Sequence, residues 1–272
     1  MTISGHLLLV GCGKMGGAML RGWLQRGVRP DDITVVEPNA AAAADLAAAG
    51  VRIVMDAAKL PADLKPAVVL IAVKPQMTDG AVPAYRRFTG AGTVFLSIAA
   101  GRTIAYFERH LGAQAAIVRA MPNTPAAVGR GITVACANQR VTSGQRSLCD
   151  ALLAAVGEVA WVPDEGLLDA VTAVSGGGPA YVFLLIECLA EAAVAAGLPA
   201  DLAMRLARVT VSGAGELARL SDEPASVLRQ NVTSPAGTTL EALKILMAAD
   251  GLQPLMTKAI AAATRRSREL AG

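Results

Sequence analysis

The segment Leu7-Leu8-Leu9-Val10-Gly11-Cys12-Gly13-Lys14-Met15-Gly16 decides the fold of this chain. A short apolar run, typical of a buried β-strand, leads into the pattern Gly-x-Gly-x-x-Gly and then into apolar residues at helical spacing. In this context Gly11 permits a tight turn, Gly13 lets the backbone approach a pyrophosphate, and Gly16 lets the helix pack on the strand. The segment predicts dinucleotide binding by the residues of the turn: Gly11, Cys12, Gly13, Lys14, Met15 and Gly16.

An acidic residue follows the second predicted strand, residues 33–36. It is Glu37, and it lies about 20 residues beyond the glycine pattern. A carboxylate at this place binds the ribose hydroxyls of the adenosine and repels a 2′-phosphate, which favours NADH. Asn39 is near enough in sequence to contact a phosphate if Glu37 points away. A glycine-rich turn in another α/β protein is the alternative, but strand, helix and acid together favour a dinucleotide site.

Two further strand signals add residues to the same site. Residues 67–73 form an almost wholly apolar run, typical of a parallel strand covered on both faces, and the run stops at Lys74-Pro75. Residues 93–98 form another, followed by the small residues Ala99-Ala100-Gly101, against which a nicotinamide ring can lie. Ligands of doubly wound folds bind beyond the carboxyl ends of the strands. We therefore expect cofactor contacts from Ala72, Val73, Lys74, Pro75, Ala99 and Ala100.

The chain changes character at residue 165. Before it, strands alternate with helix-length segments, and further strands are predicted at residues 116–118, 132–135 and 159–162. This pattern predicts a doubly wound, Rossmann-type α/β domain over residues 1–164. From residue 165 to residue 272, apolar residues recur at helical spacing, which predicts an all-helical domain. Its helices carry few charges between residues 170 and 198, so we expect it to bury apolar surface in a homodimer or higher homo-oligomer.

Composition argues against several classes of partner. The 272-residue chain has a net charge of +3, too small and too scattered to indicate nucleic acid or an acidic membrane surface. The longest uncharged run, residues 170–186, is interrupted by Gly176-Gly177-Gly178-Pro179, so no membrane span is predicted. The cysteines at positions 12, 136, 149 and 188 lack metal-ligand spacing. We therefore predict reduced thiols, no metal and a cytoplasmic location.

A second anion site is predicted in Ser234-Pro235-Ala236-Gly237-Thr238-Thr239-Leu240-Glu241. Thr238 and Glu241 have the spacing of a capping box, and Pro235 and Gly237 prevent an earlier helix from continuing. A helix start offers unpaired N–H groups and a partial positive charge, which suit a carboxylate or a phosphate. Hydroxyl donors are added by Ser234, Thr238 and Thr239. An ordinary capped helix is the alternative.

Six segments together resemble the pyrroline-5-carboxylate reductase family, in order and over essentially the whole chain. They are residues 11–16, 72–75, 97–101, 119–125, 175–181 and 231–241. The resemblance implies reduction of 1-pyrroline-5-carboxylate to proline, the last step of proline synthesis, with hydride from NADPH or NADH. It also implies a Rossmann domain, a helical dimerisation domain and an active site shared between subunits. Because the family more often uses NADPH, the resemblance slightly favours NADPH, against the charge of Glu37.

The implied chemistry needs few specialised side chains. An imine nitrogen is basic enough to be protonated before or during hydride transfer, so the protein mainly positions the ring and neutralises its carboxylate. We expect the backbone N–H groups of residues 237–239 and the hydroxyl of Ser234 to hold that carboxylate. The resemblance implies that Thr239 Oγ delivers or orients the proton at the ring nitrogen, and that Asn231 reaches the cofactor. For Thr239 an ordinary first-turn residue is the alternative.

Two departures from the family pattern and two rival functions stay open. Gly177 stands where the family commonly has serine, and Ala236 stands where it commonly has glycine, which puts a positive φ at Ala236 in doubt. A related hydroxyacid dehydrogenase would need a catalytic lysine on a helix of the second domain. The lysines there are Lys244 and Lys258, and both follow the 234–241 segment. A non-enzymatic nucleotide sensor would show decay of that segment, which shows little.

Overall fold

A mixed β-sheet dominates the N-terminal part of the chain. The computed structural model describes residues 5–90 and 92–271, and within them eight strands form one sheet. The strands are β1 (His6–Val10), β2 (Ile33–Val36), β3 (Arg52–Val54), β4 (Pro66–Ile71), β5 (Val94–Ser97), β6 (Ala116–Met121), β7 (Gly131–Ala137) and β8 (Gly157–Trp161). Their spatial order is β3-β2-β1-β4-β5-β6-β7-β8, and neighbours are parallel except β6 with β7. The order of the strands reverses between β1 and β4, which creates the crevice where such folds bind ligands.

Helices lie between and after the strands of this sheet. They are α1 (Lys14–Gln25), α2 (Ala44–Ala48), α3 (Thr78–Ala81), α4 (Ile104–Leu111), α5 (Ser143–Leu153) and α6 (Leu167–Val171). Short 3-10 segments lie at Pro30–Asp32, Ala40–Ala43, Ala57–Lys59, Pro75–Met77, Val82–Phe88, Thr124–Val128 and Ala154–Val156. A π-helical segment, Thr172–Gly176, follows α6.

Both faces of the sheet are buried, which explains why its strands are nearly continuous apolar runs. Along β1, Leu7 and Leu9 face one buried cluster, which includes residues of α1 and α5. Leu8 and Val10 face the opposite cluster, which includes Phe107 of α4. The alternation follows from the two-residue period of a strand. The sheet therefore holds the loops at its carboxyl edge on a rigid base.

Five helices form the remainder of the chain. They are α7 (Gly178–Ala195), α8 (Ala200–Leu220), α9 (Ala225–Asn231), α10 (Thr238–Leu246) and α11 (Leu252–Ala271). By internal packing the chain divides into two compact units: one runs up to Gly176 and includes the end of α11 from Ala263, and the other is Gly177–Ala262. Large apolar side chains are exposed along α7 and α8: Val182, Phe183, Leu184, Leu185, Leu189, Val194, Leu202, Met204, Leu206, Val209, Leu217 and Leu220.

The predicted fold class, a Rossmann-type α/β sheet followed by helices, is confirmed. The predicted strands 67–73 and 93–98 extend too far toward the C-terminus, because the chain leaves the sheet after Ile71 and after Ser97. The short edge strand β3 was not predicted, since three partly exposed residues make no apolar run. The domain boundary between residues 164 and 165 stays a prediction.

The glycine-rich break predicted in residues 170–186 is smaller than expected. The chain stays helical through the π-helical segment, bends at Gly177 and resumes as α7. Together Leu167–Ala195 is long and apolar enough to cross a membrane by length and composition. A buried apolar helix that crosses no membrane meets the same two criteria.

Candidate active site

The turn after β1 has the backbone geometry that the glycine pattern predicts. Gly11 has φ +88°, and a Cβ there would lie 2.9 Å from Val73 Cγ1 and 3.0 Å from the Ala72 carbonyl oxygen. A Cβ at Gly16 would lie 2.5 Å from the Gly11 carbonyl oxygen, so glycine is required for helix and strand to touch. At Gly13 a Cβ would meet nothing within 4 Å. The open space beside Gly13 is where a bound group can approach the backbone.

The start of α1 is free to receive an anion. Its N-cap is Gly13, without a side-chain cap, and its first turn carries no acidic residue. In the described part of the chain, no group accepts a hydrogen bond from the N–H of Lys14 or Met15. Such unpaired N–H groups, with the partial positive charge of a helix start, suit a pyrophosphate. The turn therefore fits a nicotinamide dinucleotide.

The side chain of Glu37 points toward the glycine-rich turn. Its Oε2 accepts a hydrogen bond from the Cys12 N–H at 2.7 Å, and its Oε1 accepts one from the Asn39 N–H at 2.9 Å. Burial and the nearby Glu37 carboxylate raise the pKa of the Cys12 thiol to about 11, so this thiol is neutral at physiological pH. Asn39 uses its Oδ1 to accept from the Ala41 N–H at 3.1 Å. A negative charge thus stands at the place where the ribose hydroxyls are predicted.

The loop after β4 lies beside the glycine-rich turn, and the loop after β5 lies beside the loop after β4. The Ala72 N–H donates to the Val10 carbonyl at 2.8 Å, and the Ile98 N–H donates to the Ile71 carbonyl at 3.1 Å. In these loops Ala72, Val73 and Pro75 are half-buried, Ala99 is buried, and Lys74 and Ala100 are exposed. The structure thus brings together the predicted cofactor residues of the first unit. Arg102, which no sequence pattern marks, lies here as well and donates to the Pro75 carbonyl.

The predicted capping box at the start of α10 is wrong. The N-cap is Gly237, in an extended conformation and without a side-chain cap, so Thr238 is the first helical residue rather than the cap. Glu241 instead pairs with Lys244, with 2.6 Å between Oε1 and Nζ. The one-residue shift leaves the hydroxyls of Thr238 and Thr239 on exposed residues of the first turn.

The N–H donors at this helix start are fewer than predicted. The Gly237 N–H donates to the Ser234 carbonyl at 3.0 Å, so it is already used. Among the residues described, none accepts from the N–H groups of Thr238 and Thr239. These two donors, with the exposed Ser234, form the candidate anion site of the second unit. Ala236 has φ +55°, so the left-handed conformation that its methyl group put in doubt does occur.

The other polar candidates have partners of their own. Asn231, at the end of α9, donates from Nδ2 to Glu223 Oε2 at 3.2 Å, and its predicted contact with the cofactor stays a prediction. His6 Nε2 lies 2.8 Å from Thr34 Oγ1, and burial lowers the His6 pKa. His110 Nδ1 lies 2.9 Å from the carbonyl oxygen of Tyr106, four residues earlier in its own helix. Neither histidine stands in a candidate site.

Comparison with known proteins identifies the family. A pyrroline-5-carboxylate reductase from Pseudomonas aeruginosa is 38% identical over 267 residues, which cover 98% of this chain and 97% of that protein. The chain belongs to the pyrroline-5-carboxylate reductase family. A member of this family from Synechocystis is 38% identical, covering 97% of this chain and 98% of that protein. One from Mycobacterium tuberculosis is 39% identical, covering 97% and 96%.

Solved structures of pyrroline-5-carboxylate reductases share the fold. The Coxiella burnetii protein matches with a TM-score of 0.93 at 34% identity, over 99% of this chain and 100% of that chain. The Plasmodium falciparum protein, solved with NADP bound, matches with a TM-score of 0.82 at 27% identity, over 99% of each chain. Family models match residues 7–101 (NADP oxidoreductase coenzyme F420-dependent) and residues 165–270 (pyrroline-5-carboxylate reductase dimerisation). Membership makes this chain an NAD(P)H-dependent oxidoreductase.

Proposed function

We propose that this chain reduces the C=N bond of 1-pyrroline-5-carboxylate to give L-proline, the last step of proline biosynthesis. The proposal is based on the start of α10, which has no side-chain cap and has the exposed residues Thr238 and Thr239 in its first turn, in a chain of this family. The partial positive charge of a helix start and its unpaired N–H groups make this place suitable for the negatively charged carboxylate of the substrate. The Thr238 and Thr239 N–H groups and the Ser234 hydroxyl would hold it, with Gly237 allowing close approach of the backbone.

The proton that the ring nitrogen takes up is assigned to the Thr239 hydroxyl, which donates it and regains a proton from solvent, to which Thr239 is exposed. Bound NAD(P)H supplies the hydride. The ring nitrogen needs only one well-placed donor, because an imine is already basic, and the Thr239 hydroxyl lies on the same turn as the proposed carboxylate site. His6 and His110 are engaged by Thr34 and the backbone of Tyr106, which leaves the hydroxyl as the better donor.

The cofactor would be held in the first unit by the helix start at Gly13 and by the loops after β4 and β5. The family expectation slightly favours NADPH, whereas the Glu37 carboxylate opposes a 2′-phosphate. We propose that both nucleotides are accepted and that Glu37 reduces the advantage of NADPH. Replacing Glu37 with Gln would then raise the ratio of kcat/KM for NADPH to that for NADH about tenfold.

The helical part is proposed to join two copies of the chain, with the active site shared between them. Exposed apolar side chains on α7, such as Phe183 at 61% exposure, would be covered by the second copy. Residues 165–270 match the family's dimerisation model. The same contact would account for the apolar stretch Leu167–Ala195 without a membrane.

The free cysteines Cys12, Cys136, Cys149 and Cys188 support the proposed cytoplasmic location.

The test is oxidation of NADPH and of NADH with 1-pyrroline-5-carboxylate by wild type, Thr239→Ala and Thr239→Ser. We expect turnover that falls about tenfold or more in Thr239→Ala and is partly kept in Thr239→Ser, which retains the hydroxyl. Thr257→Ala, which removes an exposed hydroxyl bonded within α11, is the control and should behave as wild type. Equal turnover in all variants would remove Thr239 from the mechanism. Wild type without turnover on either nucleotide would refute the function and favour the dehydrogenase or sensor alternatives.

A further inference from the structure

One side chain joins the two loops that line the proposed nucleotide site. Arg102 follows Gly101 in the loop after β5, and its backbone N–H donates to the Ala99 carbonyl at 3.4 Å. Its Nε and Nη2 both donate to the carbonyl oxygen of Pro75, at 3.2 and 2.9 Å. Pro75 lies in the loop after β4. The guanidinium therefore fixes the distance between the two loops.

The carbonyl of Pro75 is an unusually well-fixed point. Besides the two Arg102 donors, it accepts a hydrogen bond from Thr78 Oγ1 at 2.7 Å, and Thr78 is fully buried. The Met77 N–H donates to the Lys74 carbonyl at 2.8 Å, which closes the turn around Pro75. The Thr78 backbone N–H donates to the same oxygen, so four donors hold the plane of the peptide that follows Pro75. The backbone of Val73 and Lys74, just before it, is held as a consequence.

Arg102 is in turn held by its neighbours. Its Nη2 lies 3.3 Å from Asp79 Oδ2, and its guanidinium carbon lies 4.6 Å from the centre of the Tyr106 ring. The Tyr106 hydroxyl donates to Asp79 Oδ1 at 2.7 Å. This hydrogen bond, with the charges of Arg102 and His110, lowers the pKa of Asp79. Arg102, Asp79 and Tyr106 thus form a continuous network beside the two loops.

The geometry points to Arg102 as a positioning residue for nucleotide binding, which acts through the Pro75 carbonyl on the loops after β4 and β5. The inference rests on the proposed function, because it takes these loops as cofactor contacts. Lysine would be a poor substitute, since a single ammonium lacks the rigid fork that places two N–H groups on one oxygen.

The test compares Arg102→Met and Arg102→Lys with wild type, using the full chain. The control is Arg29→Met, which removes an exposed arginine that also makes two hydrogen bonds, to Asp32, away from the loops. Dissociation constants of NADPH and NADH are measured without substrate, and hydrogen exchange of residues 72–79 is measured without nucleotide. We expect Arg102→Met to weaken nucleotide binding about tenfold and to speed exchange in this segment. Arg102→Lys should give a nucleotide affinity and an exchange rate between those of wild type and Arg102→Met. Arg29→Met should match wild type in both measurements.

Steady-state kinetics separates positioning from general destabilisation. Arg102→Met should raise KM for the nucleotide and leave KM for 1-pyrroline-5-carboxylate within about twofold. Unchanged nucleotide affinity and unchanged exchange would overturn the inference, as would equal losses in both KM values with a lowered thermal midpoint. If Arg102→Met does not fold, Asp79→Asn removes the ion pair alone and should show the same pattern more weakly. A wild type that binds neither nucleotide would refute the proposed function, and the exchange measurement would still show whether Arg102 holds the loops.

Discussion

Replacing Gly13 with Ala should separate nucleotide binding from folding stability. Gly13 has φ −67° and ψ −169°, an extended conformation that alanine adopts without strain, and a Cβ there would meet nothing within 4 Å. Alanine is the poorer N-cap, but it also lowers the entropy of the unfolded chain, and each effect is about 0.5–1 kcal/mol. Since the two oppose, we expect the free energy of unfolding to stay within about 1 kcal/mol of wild type.

Nucleotide binding should respond differently. The new methyl group would stand in the open space beside the N–H groups of Lys14 and Met15, where the pyrophosphate is proposed to approach. Holding the pyrophosphate away from these donors should weaken binding at least about tenfold, which corresponds to roughly 1.4 kcal/mol.

Gly11→Ala is the matched control for the opposite outcome. At φ +88° the left-handed strain alone costs about 1–2 kcal/mol. The added Cβ would also lie within 3.0 Å of Val73 Cγ1, the Ala72 carbonyl oxygen and the Val73 nitrogen. Two of these are backbone atoms of the loop directly after β4 and cannot rotate away, which adds about 1–3 kcal/mol. The expected total loss of stability is therefore about 2–5 kcal/mol.

The assay pairs urea unfolding with NADPH titration, at one fixed protein concentration because the oligomer contributes to stability. Gly13→Ala should keep the wild-type unfolding midpoint and lose nucleotide affinity, whereas Gly11→Ala should lose both. Wild-type affinity in Gly13→Ala would show that the open space is not the pyrophosphate site. A loss of stability in Gly13→Ala as large as in Gly11→Ala would show that the space is not open.

Three further outcomes follow from single sites. Ala236→Gly should raise the free energy of unfolding by up to about 1 kcal/mol in urea denaturation, because it removes left-handed strain at φ +55°. Arg119→Met should lower the free energy of unfolding by about 3 kcal/mol, because the Glu165 carboxylate loses the buried guanidinium that lies 2.8 Å from it. The double variant Arg119→Met with Glu165→Leu should recover part of this loss, because it leaves no unpaired charge. His6 has its pKa lowered by burial, so the unfolded state binds more protons and wild type should lose stability relative to His6→Gln as pH falls through about 6.5. Parallel slopes of stability against pH for the two proteins would contradict that assignment.

The sequence predicted the geometry of the glycine-rich turn, because the determinants of that turn are local. A strand, a turn with Gly11, Gly13 and Gly16, and a helix follow one another directly, so their spacing carries the geometry. The predicted N-cap of α10, Thr238, is one residue too late, because the spacing of Thr238 and Glu241 does not show that Gly237 takes the extended N-cap conformation. Arg102 lies 27 residues from Pro75, and no periodicity links them. Such contacts depend on how neighbouring strands are ordered, which local patterns do not encode.

An unpaired helix start does not by itself indicate a ligand, and α8 shows why. This helix also begins without a side-chain cap, but its first turn contains Asp201, which supplies a negative charge from within the chain. The first turn of α1 has no acidic residue, and in α10 the Glu241 carboxylate is paired with Lys244. These two helix starts therefore keep a positive end that no unpaired carboxylate of their own first turn offsets. The proposed reaction must hold two anions, a pyrophosphate and a carboxylate, and each of these two helix starts is suited to one of them.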